Sequence, residues 1–321
     1  MIRHRAHNMA IKYPNLKYQF YLASGLIKQL RKLLAPKNIA YGGEQPFLFI
    51  VGSGRSGNTL LRKLLMEKGD IYIPPESYVL AQEVITHLNA CALNWNDKVD
   101  LTLAKFEYHP EFSTFGIDTL RDFSIYAKSF RVEHQQIGTI IIELYKWIAE
   151  KNGYSCYWLG DKTPLNTMHL GLIRKLVPNA VYIYMERDGV DVCHSYIKAG
   201  IYNNIAAAAH RWKNSRTAWQ SFKKSIPLHS YVEIRYESMV ENHEKTIKYI
   251  LDFLNIPANK NEVNVASTLG DVTMRAHHRN ATSPPNMHSI GKGRASISKH
   301  ERSILKSIIG DALETSGYEP L

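Results

Sequence analysis

FLFIVGSGRSGNTLLRKLLMEKGDIYIPPE, residues 47–76, carries the clearest structural signal in the chain. Phe47, Leu48, Phe49, Ile50 and Val51 form a short apolar run that predicts a buried strand of a parallel sheet. A glycine-rich turn follows, Gly52-Ser53-Gly54-Arg55-Ser56-Gly57, and Thr59 then opens a helical pattern carried by Leu60, Leu61, Leu64 and Leu65. A strand, a glycine loop and a helix N-terminus together make an anion cradle, because backbone N–H groups and the helix dipole converge on one spot. The spacing is that of a Walker A loop with one departure. Asn58 stands where the phosphate-binding lysine belongs, and the cation sits three residues earlier, at Arg55. A phosphate loop without that lysine suits a nucleotide with a short 5′ tail better than ATP.

Outward from this loop, strands and helices alternate. Tyr157-Trp158-Leu159 predicts a strand leading into a loop at Gly160-Asp161-Lys162-Thr163-Pro164, and a helix is expected from Met168 to Leu176, closed by Pro178-Asn179. Ala180 to Met185 is the clearest strand. Asp188 then stands as N-cap of a helix running through Ala199. A helix over Ile205–Lys224, a strand over Tyr231–Arg235 and a helix over Glu244–Leu254 complete the series. This order predicts an α/β fold: a P-loop-like parallel β-sheet, flanked by helices on both faces, in a single domain. Residues 80–151 read as mostly helical and carry no legible motif, so they are expected to be an insertion that shapes an acceptor pocket. Residues 269–294 lack periodicity and predict a long loop. Ser298 and Glu301 predict a capping box on a final helix ending near Ser316-Gly317.

The chain has 321 residues, 40 basic against 29 acidic, for a net charge of +11. Anionic partners are implied, and on charge alone nucleotides, anionic glycans, membrane surfaces and nucleic acid all qualify. The basic residues are spread along the chain, which weakens the nucleic-acid reading. Cys91, Cys156 and Cys193 are odd in number and far apart, which argues against a disulfide framework or a zinc site and suits a reducing compartment. No run approaches the ~20 apolar residues of a membrane span, and the N-terminus shows no secretory signal pattern. Residues 1–44 form a basic segment, amphipathic from about Tyr18 to Leu34. It is expected to pack as a helix against the domain of residues 45–321, with peripheral contact to a membrane as the alternative.

Two further clusters fall where ligands of open α/β sheets bind. Arg187-Asp188-Gly189 through His194-Ser195 lies at a strand's carboxyl end, and Gly291-Lys292-Gly293-Arg294 combines close backbone approach with two cations. Each alone reads equally as an ion-paired turn or a solvated basic loop. In order along the chain, however, they resemble the sulfotransferase superfamily over most of residues 45–318. The resemblance rests on Gly54-Arg55-Ser56-Gly57-Asn58-Thr59, on Pro178-Asn179-Ala180 with Ile183-Tyr184 and Arg187-Asp188-Gly189, and on Ser195. It extends to Arg211-Trp212, Tyr236-Glu237, Leu254-Asn255-Ile256-Pro257 and the late glycine-basic loop. The branch it is most similar to contains the tyrosylprotein sulfotransferases and their bacterial relatives, which carry an acidic residue shortly after the first helix, matched here by Pro75-Glu76-Ser77. Asn58 in place of the usual Thr, and a late loop without the tryptophan common after Gly-Arg, depart from the pattern.

The resemblance implies adenosine 3′-phosphate 5′-phosphosulfate (PAPS) as donor, adenosine 3′,5′-bisphosphate as product, a hydroxyl acceptor and no metal. Glu76 would be the general base, with Arg55 and Lys162 neutralising charge on the leaving phosphate oxygen. Gly54, Arg55, Ser56, Gly57, Asn58 and Thr59 would hold the 5′-phosphate. Arg187, Ser195, Lys292, Gly293 and Arg294 would grip the 3′-phosphate, and Tyr236 would lie near the nucleotide. His194 and His277-His278 are expected to be structural or surface histidines. The acceptor stays open between carbohydrate, glycolipid, tyrosine and small molecules. A carbohydrate or glycolipid is favoured, with a cytoplasmic enzyme. Three rival readings remain: a P-loop small-molecule kinase, which would need a lysine at Asn58; a non-catalytic nucleotide- or glycan-binding protein on the same scaffold; and a nucleic-acid binder, for which no recognition module is visible.

Overall fold

Residues 47–52 form a strand, β1 (Phe47–Gly52), and all six are buried. A strand covered on both faces needs paired neighbours on both edges and helices above and below. The structure, a computed structural model, describes residues 39–89, 93–257 and 287–321. In it β1 is the centre of a five-stranded, all-parallel sheet with order β2-β3-β1-β4-β5. Its partners are β2 (Ile71–Tyr72), β3 (Trp158–Lys162), β4 (Val181–Glu186) and β5 (Tyr231–Arg235). Ile50 is in register with Lys162 on one side, and Gly52 with Met185 on the other. From β1 the chain builds β2 and β3 on one flank, then crosses to β4 and β5. That reversal opens a crevice at the carboxyl ends of the central strands, where ligands of such sheets bind.

Twelve α-helices are described. They are α1 (Asn58–Lys68), α2 (Leu80–Asn89), α3 (Trp95–Glu107), α4 (Arg121–Lys128), α5 (Ile137–Lys151) and α6 (Leu170–Ile173), then α7 (Gly189–Lys198), α8 (Ile205–Phe222), α9 (Tyr236–Glu241), α10 (His243–Phe253), α11 (Lys292–Ser296) and α12 (Lys299–Thr315). Residues 80–151 are helical in α2 to α5, as expected. Their starts are set locally. Asn94, Asp188, Asn204 and Asn242 each accept a hydrogen bond from a first-turn backbone N–H, and Ser298 with Glu301 forms the predicted capping box. Caps of this kind contribute about 0.5–2 kcal/mol each. The main core surrounds the sheet, where Tyr184 stacks on Trp219 with ring centroids 4.8 Å apart. A second core joins α7, α8 and α12 through Val190, Trp212, Leu305, Ile309 and Leu313.

Three local expectations need correction. Gly160, Asp161 and Lys162 are not a loop but the carboxyl end of β3, because pairing with Leu48, Phe49 and Ile50 of β1 carries the strand past its apolar residues. The helix expected over 168–176 is instead a 3-10 turn from Pro164 to His169 followed by the single turn α6. Pro164 starts the turn early, and the segment is too short to stabilise a longer helix. The late loop is not all loop, since Lys292–Ser296 is helical. Gly293 lets this helix touch α7, where a Cβ would lie 2.6 Å from the Val190 carbonyl oxygen.

The basic helix expected over 18–34, residues 269–286, Cys91, His277 and His278 lie outside the described residues. Residues just before β1 tie to the domain through Tyr41 N–H donating to the Leu176 carbonyl and Ile39 accepting from Gly138. Among the described residues no helix is long and apolar enough to cross a membrane. Cys156 and Cys193 are free thiols, and burial pushes the Cys156 thiol up to about 12.

Candidate active site

The cradle begins where β1 ends. Gly52 donates its N–H to Thr167 Oγ1 at 2.8 Å and accepts that hydroxyl on its carbonyl at 2.9 Å. Its φ of +142° and its approach to Met185, whose carbonyl oxygen would lie 2.5 Å from a Cβ, restrict the position to glycine. Asn58 turns inward, donating Nδ2–H to the Ser53 carbonyl at 2.8 Å, so it closes the loop on itself. The side chain that replaces the Walker lysine therefore acts as a loop clasp. Gly57 is the N-cap of α1 in the left-handed region, and no side chain caps the helix start. Ser56 Oγ is buried with no hydrogen-bond partner among the described residues. Arg55 also has a positive φ, of 66°, a conformation that costs ~1–3 kcal/mol and marks functional turns.

One wall of the crevice comes from β3. Lys162 is fully buried, and its ammonium lies 2.6 Å from Glu76 Oε1 and 3.2 Å from Thr59 Oγ1. The base expected after the first helix and the cation expected after the second strand thus meet beside the start of α1. Glu76 is held from behind by its neighbour. Ser77 N–H donates to Thr163 Oγ1 at 3.1 Å, and Ser77 Oγ donates to Asp161 Oδ2 at 3.0 Å. Asp161 also accepts from Tyr145 at 2.8 Å and Asn166 at 2.7 Å, and burial raises its pKa against those bonds.

The opposite wall comes from the turn after β4. Arg187 Nη1 donates to the Arg55 carbonyl at 2.9 Å, Nη2 donates to the Ser289 carbonyl at 2.8 Å, and the guanidinium lies 4.2 Å from the Tyr236 ring centroid. Its Nε is buried without a partner among the described residues. Arg55 Nε donates to Ser195 Oγ at 3.1 Å. Burial first, and the Arg187 charge second, lower the Arg55 pKa. Two guanidiniums held that close gain from an anion between them. Tyr236 lines the far side of Gly57 and bonds Ser289 through its hydroxyl at 2.6 Å. Trp212 donates to the Arg187 carbonyl at 3.1 Å, which ties this wall to the second core.

Arg55, Ser56, Gly57, Thr59, Glu76, Lys162, Arg187, Ser195 and Tyr236 are therefore brought together. Gly54 packs against Tyr196, whose hydroxyl would lie 2.6 Å from a Cβ there. The late cluster packs on the same wall, against the acidic residues that follow Arg187. Gly291 and Gly293 donate their N–H groups to the Asp191 carboxylate at 2.8 and 2.7 Å. Arg294 binds Asp188 at 2.7 Å and the carbonyls of Glu319 and Pro320, and Lys292 is exposed. His194 is half-buried in α7 beside this cluster. Sequence reasoning missed Asp161, Thr167, Tyr196 and Ser289. Only Asp161 sat within a quoted motif, and its role depends on partners 16 and 84 residues away. Among the described residues no His/Cys/Asp/Glu group could hold a metal ion.

The chain is similar to known proteins. Protein-tyrosine sulfotransferase 1 of Danio rerio is 24% identical over 300 residues, covering 87% of this chain and 74% of that protein. Its Homo sapiens counterpart is 23% identical over 300 residues, covering 90% and 74%. The sulfotransferase domain from the Synechococcus PCC 7002 olefin synthase shares the fold, with a TM-score of 0.57 at 20% identity over 87% of this chain and 98% of that one. The family model described as "Sulfotransferase family" matches residues 46–260, which hold the whole sheet, the glycine loop, Glu76, Lys162 and Arg187, and the chain accordingly belongs to the sulfotransferase family.

Proposed function

We propose that the chain transfers the sulfuryl group of PAPS to the hydroxyl of a carbohydrate or glycolipid acceptor. The observation that carries this reading is the buried Lys162–Glu76 pair at 2.6 Å, set against Thr59 at the mouth of an uncapped helix N-terminus. The fit of a 3′-phosphorylated nucleotide is supported by two buried donors that lack partners among the described residues, Ser56 Oγ and Arg187 Nε. The glycine loop and Ser56 would hold the 5′-phosphate. Arg187 and Ser195 would hold the 3′-phosphate, and Tyr236 would line the nucleotide. PAPS supplies an activated sulfuryl group whose phosphate is already a good leaving group, so the protein's part is positioning and charge stabilisation. The acceptor oxygen bonds to sulfur while the bond from sulfur to the 5′-phosphate oxygen breaks. The acceptor proton passes to Glu76, and Lys162 and Arg55 balance the charge left on the phosphate.

A second reading keeps the donor and changes the acceptor to a tyrosine phenol, which the names of the similar curated proteins favour. Residues 80–151 would shape the acceptor side in either case. The test is calorimetric titration with adenosine 3′,5′-bisphosphate beside 5′-AMP and ATP–Mg²⁺, on wild type and Arg187→Ala. Binding should need the 3′-phosphate and collapse in the variant. Preference for ATP–Mg²⁺ would overturn the proposal. A panel of sugar, glycolipid and tyrosyl-peptide acceptors then separates the two readings.

A further inference from the structure

Both oxygens of the Glu76 carboxylate are engaged. Lys162 holds Oε1, and the Tyr78 hydroxyl donates to Oε2. These two anchors differ in what the reaction asks of them. On the proposed mechanism Lys162 must turn to the leaving phosphate oxygen, which releases its side of the carboxylate just when Glu76 has to aim at the acceptor. No step of the proposed reaction asks Tyr78 to move. It is also built to stay: its backbone is in the left-handed region at φ 56°, a conformation bulky side chains hold only when surroundings impose it. Its ring stacks on His109 with centroids 5.3 Å apart and planes 14° from parallel. His109 is itself fixed in the turn after α3, donating its N–H to the Phe106 carbonyl at 3.2 Å and accepting the Glu111 N–H on Nδ1 at 3.2 Å.

Resting on the sulfuryl-transfer reading, we propose that Tyr78 is the positioning residue for Glu76 and that His109 links it to the helical insertion of residues 80–151. The hydroxyl keeps one carboxylate oxygen in place and leaves the other to accept the acceptor's proton when Lys162 withdraws. The stack places the base under the control of α3, so an acceptor seated on the insertion would act on the geometry of Glu76 through His109 and Tyr78. The contacts that hold Glu76 and Tyr78 lie on the β3 side of the crevice, across from the wall built by Arg187, Ser195 and Tyr236. The device is therefore predicted to govern turnover and not nucleotide binding.

A double-mutant cycle tests it. Tyr78→Phe keeps the ring and the stack and removes the hydroxyl; it is made in wild type and in Glu76→Ala. In wild type kcat should fall about tenfold, the effect of one hydrogen bond, while affinity for adenosine 3′,5′-bisphosphate stays unchanged. In the Glu76→Ala background the same substitution should change kcat less than twofold, since the group it positions is gone. His109→Leu should lower kcat in wild type and leave Glu76→Ala unchanged. Equal losses in both backgrounds, or weakened nucleotide binding in Tyr78→Phe, would overturn the proposal. The cycle is also read in urea midpoints, which need no turnover. If wild type sulfates no acceptor, yet Tyr78→Phe lowers the midpoint only where Glu76 is present, the positioning contact stands and the sulfuryl-transfer reading falls. Equal midpoint losses would remove the positioning role itself.

Discussion

Gly57→Ala is the change whose cost the structure allows to be worked out atom by atom. At φ +93° a Cβ on residue 57 would lie 2.4 Å from Tyr236 Cδ2 and 2.8 Å from Cε2. Ordinary contact begins at 3.4 Å, so the ring must retreat by about 1 Å. Tyr236 is buried, and behind it sit Arg187, 4.2 Å from the ring centroid, and Ser289, bonded to the ring hydroxyl. The strained backbone costs ~1–3 kcal/mol, and overpacking a fitted site costs a further ~1–3 kcal/mol. A total loss of about 2–6 kcal/mol in urea unfolding is expected from those two sources. Because the displaced ring carries Arg187 with it, affinity for adenosine 3′,5′-bisphosphate should fall about 10- to 100-fold, the effect of losing one or two charge-assisted hydrogen bonds. The decisive control is Gly57→Ala made in a Tyr236→Ala background. With the ring gone, only the backbone strain remains, so the cost of Gly57→Ala should drop by about half. An equal cost in both backgrounds would refute the argument, because the clash with Tyr236 would then contribute nothing.

Other outcomes follow from the same geometry. Glu76→Gln should lower kcat about 10²- to 10⁴-fold with nucleotide binding retained; near-normal turnover on an identified acceptor would remove Glu76 as base. Lys162→Ala leaves a buried carboxylate without its cation and should cost about 3–5 kcal/mol in urea unfolding, part of it recovered in Lys162→Ala/Glu76→Ala. Glu237 accepts from Asp188 N–H and the Tyr318 hydroxyl, and burial raises its pKa above the ordinary 4.5. A raised carboxyl binds its proton more tightly folded than unfolded, so its contribution is full below pH 4.5 and is lost as pH rises through the folded value. Glu237→Gln removes that loss. The stability of the variant relative to wild type should therefore climb from pH 4.5 towards neutrality and then level off, and a flat difference would contradict the assignment.

The central strand, the glycine loop, the helix that follows and the parallel character of the sheet were legible in the sequence, but the order of the strands was not. These depend on local spacing: an apolar run, glycines where the backbone turns back, and capping side chains within three residues of the groups they bind. The sequence also marked Arg55, Glu76 and Arg187, each beside a legible turn or helix end, while Lys162 and the roles of all four came from the resemblance to the sulfotransferases. Which of these residues meet, and with what else, depends on packing between distant segments. Asp161 and Lys162 are strand residues because β1 pairs with them, a contact more than a hundred residues distant that no local pattern encodes. Asn58 became a clasp on Ser53, and Arg294 an anchor for the chain's end, because side-chain direction follows the packed backbone. Tyr78 had no sequence signal at all. Its hydroxyl reaches Glu76 from a left-handed backbone, and its ring stacks on His109 in the turn after α3, a meeting of segments 31 residues apart that no local pattern encodes.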